Sequence, residues 1–102
     1  MNKIQQEKII KMIGSEICRF SNELKGYKVI LYGSRASGKA TERADFDIAI
    51  LGKEALPIKL FHEIADRLEN LPTLHEIDIV DLKRSSEKFR KEVIKNYKVI
   101  YE

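Results

Sequence analysis

Apolar positions along this chain fall into two rhythms. Ile9, Ile13, Ile17, Phe20 and Leu24 recur at spacings of four, four, three and four residues, which draws one stripe down a helix. That spacing predicts a helix over 3–24, weakened in the middle by Gly14 and stopped by Gly26. Lys28 to Gly33 is a nearly continuous apolar run, the mark of a first strand buried on both faces. Residues 34–40 read as a short helix or turn, and Ala40 to Ala44, with Thr41, Glu42 and Arg43, as a polar loop. Phe46 to Leu51 is a second strand. Pro57 then opens a helix, whose stripe is Leu60, Phe61, Ile64, Ala65, Leu68 and Leu71 and which Pro72 ends. Residues 76–81 form a third strand. Ser85 or Ser86 caps a last helix with Phe89, Val93 and Tyr97 on its apolar face, and Lys98 to Tyr101 can add a short closing strand. Helices alternating with three strands predict an α/β or α+β sandwich, a sheet with helices mainly on one side.

Against this frame a few positions are out of place. Asp45 and Asp47 open the second strand with one residue between them, so both side chains point to one face while Phe46 and Ile48 point to the other. Adjacent carboxylates repel each other and are poor strand formers. A cation between them removes the objection, and hard oxygen ligands suit Mg²⁺. Asp78 lies between Ile77 and Ile79, where an apolar residue is the plain expectation, and an isolated buried carboxylate is costly unless paired or metal-bound. If the second and third strands are neighbours, Asp78 shares the face of Asp45 and Asp47. Asp81 should face the other way, in a loop or capping role. Upstream, Gly33 permits a tight turn and close approach of a ligand, and a helix beginning at Ser34 or Arg35 would offer free N–H groups to an anion.

The chain has 102 residues, enough for one domain over 1–102 with a modest core. An apolar content of 43% is that of a globular protein, so the charged fraction of 34% does not argue for disorder. A net charge of +3 is too mild to establish a nucleic-acid partner. The single cysteine, Cys18, excludes an internal disulfide and falls on the apolar side of the first helix, as a buried structural thiol would. No signal peptide is evident and no apolar run approaches the length of a membrane span, so a reducing cytoplasm and no membrane contact are expected. His62 reads as a surface residue; His75, before the third strand, could approach the rim of a site.

Gly33, Ser34, Arg35, Gly38, Asp45 and Asp47, with the apolar runs on either side, resemble the nucleotidyltransferase superfamily of DNA polymerase beta, whose signature is Gly-Ser, about ten residues, then Asp-x-Asp. The chain is most similar to the minimal nucleotidyltransferases, small single domains encoded beside a HEPN-domain protein, many of which pair as antitoxin and toxin. The likeness runs through the third strand to Ser86–Arg90. Ser37 departs from it, where the family often carries Arg or Lys. The resemblance implies a three-stranded mixed sheet of the nucleotidyltransferase fold with the Asp45/Asp47 strand in the middle, and Asp78 as third catalytic carboxylate.

On this reading Asp45, Asp47 and Asp78 are both catalytic and metal-binding, holding two Mg²⁺ ions, with Mn²⁺ an alternative. Gly33 and Ser34 would hold the triphosphate of ATP. Arg35, Lys39 and Arg43 are candidates to neutralise it, with a structural ion pair as the alternative for Arg35. The implied reaction is transfer of AMP from ATP to a hydroxyl, tyrosine in the family, of a HEPN-domain partner encoded nearby, which would make the chain an enzymatic antitoxin. Nothing in the sequence is left over for an acceptor domain. Two other readings remain: a binding module that masks its partner stoichiometrically, and nucleotide addition to an RNA end, which leans only on the mild basic charge and on the basic stretch Lys83 to Lys98. A homodimer face is a lesser use for the first helix's stripe.

Overall fold

A computed structural model describes residues 3–41 and 43–102; Glu42 of the polar loop lies outside the described residues. Its elements are α1 (Lys3–Cys18), β1 (Lys28–Tyr32), α2 (Ser34–Ser37), β2 (Phe46–Leu51), α3 (Ile58–Glu69), β3 (Ile77–Asp81), a 3-10 turn (Leu82–Arg84), α4 (Glu87–Val93) and β4 (Tyr97–Tyr101). The strands make one four-stranded sheet in the order β3-β2-β1-β4. The expected three strands are therefore four: the closing segment begins at Tyr97 and pairs antiparallel with β1. β1 and β2 are antiparallel. β2 and β3 are parallel, as a crossover through α3 allows, so the sheet is mixed and β2 lies inside it.

Strand alternation builds two cores. Val29, Leu31, Phe46, Ile48 and Ile50 face α1 and α3, whose Ile13, Ile17 and Ile64 are fully buried. On the opposite face Ile30 and Ala49 pack with Leu82 of the 3-10 turn and Val93 of α4. Most of the helical mass thus lies on one face, while α4 covers part of the other.

The first helix is shorter than its stripe. After Cys18 the chain continues in turns, with Phe20 N–H donating to Ile17 and Leu24 N–H to Phe20. Phe20 and Leu24 still reach the core from those turns. Cys18 is exposed, which corrects the expectation of a buried thiol: Ile17 occupies the inward position, and the next residue of a helix is turned by about 100°. α3 likewise ends at Glu69, with Asn70 as its C-cap, before Pro72 is reached. Ser86 caps α4 as expected, its Oγ accepting from Phe89 N–H at 3.1 Å.

Asp81 is buried at the end of β3 and holds two loops. Its Oδ2 accepts from Leu56 N–H at 2.8 Å and its Oδ1 from Lys83 N–H at 3.0 Å. Arg84 donates to the Leu56 carbonyl at 2.7 Å, tying the same two segments together. Among the described residues no helix is long and apolar enough to cross a membrane.

Candidate active site

The parallel pairing of β2 with β3 sets Asp47 directly opposite Asp78. The antiparallel pairing of β1 with β2 sets Tyr32 opposite Asp47 on its other side. All three lie on the face that α4 half covers. Asp45 stands two residues before Asp47 and on the same side. The carboxylates sense one another. Burial first, then the charges of Asp78 and Asp45, push the Asp47 carboxyl above its ordinary value. Asp78 is raised in the same direction by burial, by the charge of Asp45 and by a hydrogen bond to it. The Tyr32 hydroxyl is pushed up to about 12, by burial and then by Asp47 and Asp78.

Glu76, read from the sequence only as the start of a strand, belongs to the cluster. Carboxylate oxygens of Asp45, Glu76 and Asp78 all lie within 4.8 Å of one another. For Glu76 the sequence offered only its parity with Asp78; the Phe46 N–H donating to the Glu76 carbonyl at 2.9 Å is what brings it alongside Asp45. The donor set is all carboxylate oxygen, the chemistry of Mg²⁺, Mn²⁺ or Ca²⁺ rather than of a soft metal.

Gly33 forms the opposite wall. Its φ is +73°, and a Cβ built on it would meet Asp47 Oδ2 at 3.0 Å. The tight turn expected of this glycine is present, and the group that approaches it closely is the Asp47 carboxylate. α2 follows at once, with no side chain capping its start, and ends at Gly38 in the left-handed region. The half-buried Ser34 opens this turn, its carbonyl accepting from Lys39 N–H at 3.1 Å. Lys39 and Arg43 are exposed beyond it.

Arg35 goes elsewhere. It is 3% exposed, lies over the Phe46 ring at 4.5 Å from its centroid, and donates to the Ala44 carbonyl at 2.8 Å and to Gln6 Oε1 at 3.1 Å. Burial lowers its pKa, while the charge of Asp45 opposes that shift. The guanidinium therefore ties α1, β2 and the loop before Asp45 together on the Phe46 side of the sheet, away from Asp47. Of the two expectations for Arg35, the contacts described are of the structural kind. His75 packs edge-on against Phe46, with ring centroids 5.7 Å apart, and lines an open pocket together with Glu76 and Asp78. The basic stretch is partly structural: Arg90 donates to the Leu82 and Ser85 carbonyls, and Lys91 and Lys95 pair with Glu87 and Glu92.

Residues 16–102 match the family described as polymerase beta nucleotidyltransferase. The chain belongs to that family. Over 76 residues this nucleotidyltransferase is 33% identical to a probable protein adenylyltransferase, MntA, of Haemophilus influenzae, spanning 74% of this chain and 67% of that protein. Its fold is similar to a toxin–antitoxin structure with AMP-PNP, at a TM-score of 0.66 and 23% identity over 86% of this chain and 72% of that one. It is also similar to the complex of a tri-AMPylated Shewanella oneidensis HEPN toxin with an MNT antitoxin, at a TM-score of 0.62 and 21% identity over 90% of this chain and 71% of that one.

Proposed function

We propose that this nucleotidyltransferase is the antitoxin of a two-protein pair and that it transfers AMP from ATP to a hydroxyl, that of a tyrosine, on a HEPN-domain partner. The observation that carries this reading is the approach of Asp45 and Asp47 to Asp78 on one face, beside a glycine turn against which the Asp47 carboxylate packs too closely for a side chain. The relative called a probable protein adenylyltransferase, and the solved complex containing an AMPylated HEPN toxin, support the choice of nucleotide and acceptor.

The carboxylates of Asp45, Asp47 and Asp78, with Glu76 beside them, would hold divalent metal, Mg²⁺ in our reading, in two positions. When bound, the metal supplies charge neutralisation at the α-phosphate and lowers the pKa of the attacking hydroxyl. Gly33 and Ser34 receive the triphosphate, the glycine by leaving space and the serine by offering its hydroxyl and N–H. Lys39, and Arg43 from the polar loop, are exposed cations that would neutralise that tail. Asp78 is the most exposed of the three aspartates and so the one an incoming hydroxyl meets. It takes the proton while the acceptor oxygen bonds to the α-phosphorus, the bond to the bridging oxygen breaks, and pyrophosphate leaves.

The test is incubation of the chain with its partner, Mg²⁺ and ATP labelled in the α-phosphate. Label on the partner, absent with Asp47→Ala, is the expected result. A mutant that neutralises the partner fully without labelling it would make the chain a masking module, and label on RNA alone would make it an RNA-end transferase.

A further inference from the structure

With Arg35 turned to the other side of the sheet, the cations for the departing phosphates must come from elsewhere. Beside the carboxylates is an open groove of about 390 Å³ between the exit of α2 and the exit of α4. Tyr32 and Phe89 form its inner surface, their rings 6.0 Å apart and perpendicular. Lys39 and Lys95 both line it, and Gly33 belongs to the lining as well. Gly33 is the hinge of the argument, because its Cα also faces Asp47 Oδ2. Gly33 therefore links the groove to Asp47, although none of the aspartates lines it.

We infer that this groove receives the β- and γ-phosphates of the nucleotide, and that Lys95, in the turn between α4 and β4, closes on them opposite Lys39. The inference rests on the nucleotidyltransferase reading above. An ammonium group serves as a mobile point charge for phosphate, and two of them lining one groove suit a polyanion better than a neutral base. Lys95 Nζ rests on Glu92 Oε1 at 2.8 Å, with both side chains about two-thirds exposed (67% and 63%). An exposed pair of this kind is held weakly, so a phosphate can displace the carboxylate. Glu92 also lines the groove, where its charge opposes an anion; in the empty site it parks the lysine.

Calorimetric titration of the full chain with ATP, AMP and pyrophosphate, in Mg²⁺ at constant ionic strength, tests the assignment. Lys95→Ala should weaken ATP and pyrophosphate about tenfold, the size of one hydrogen bond to a charged group, and leave AMP unchanged. Glu92→Gln should tighten ATP and pyrophosphate. Lys91→Ala removes the same charge from the other lysine pair on α4 and should change nothing. Equal loss of AMP and ATP with Lys95→Ala would place the nucleoside in the groove and overturn the inference. So would equal effects of Lys91→Ala and Lys95→Ala, or no effect of Lys95→Ala at all. A wild-type chain that binds none of the three overturns the inference and the nucleotidyltransferase reading together.

Discussion

Gly33 and Asp47 are fitted so closely that a single methyl group on the glycine would stand 3.0 Å from the carboxylate oxygen. The backbone at Gly33 also sits at a φ of +73°, which L side chains rarely adopt. Gly33→Ala should therefore cost about 1 kcal/mol or more in stability and, by displacing Asp47, roughly a hundredfold in transfer rate. Thermal melting and single-turnover labelling read the two effects separately. A fully active Gly33→Ala would show that Asp47 is not where the chemistry occurs.

Asp47 and Asp78, opposite each other in register, should make the metal-free protein sensitive to pH. Both carboxyls are raised in the fold. The unfolded chain then releases their protons at lower pH than the folded one, so stability falls as pH rises from the ordinary carboxylate range through the raised values, and stays reduced above them. In EDTA near neutral pH, Asp47→Asn should melt higher than wild type, by less than about 1 kcal/mol given partial solvent screening. Adding Mg²⁺ should raise the wild-type melting temperature and reverse that order. A wild type that melts at the same temperature with and without divalent metal would count against a metal site.

Arg35 should behave as a structural residue. Arg35→Met removes the bonds to Gln6 and the Ala44 carbonyl from a buried position, with an expected loss of about 2 kcal/mol. At a temperature where the variant is folded, its KM for ATP should stay within about threefold of wild type. A much larger rise in KM with unchanged melting would return Arg35 to the phosphates.

Glu76 shares a cluster with Asp45 and Asp78, while Asp47 reaches it only through its pairing with Asp78. Glu76→Gln should raise the metal concentration for half-maximal activity about tenfold, the scale of a supporting residue at a metal site, and leave the rate at saturating metal nearly intact. A loss of rate that metal cannot restore would give Glu76 a different role.

The sequence carried the strands, the two faces and the meeting of Asp45, Asp47 and Asp78, because parity along a strand is local and the register of β2 with β3 needed only one assumption. Two kinds of information were not local. Glu76 looked like an ordinary strand residue until Phe46 was seen bonded to its carbonyl. Arg35 sits in the signature itself, one residue after Ser34, yet the aromatic ring beneath it and the carbonyl of Ala44 take it to the far face. Cys18 was misplaced because it adjoins the stripe without belonging to it: Ile17 takes the inward position and its neighbour turns out to solvent.

Asp81 has no part in transfer, yet it governs whether transfer can occur. By clasping Leu56 and Lys83 it anchors the trailing end of β3 to the loop that leaves β2. Were β3 to slide by a single residue, Asp78 would point into the α3 side and an isoleucine would face Asp47. The buried aspartate thus works as an indexing pin, and a variant lacking it could stay folded, bury the same apolar surface and be catalytically out of phase.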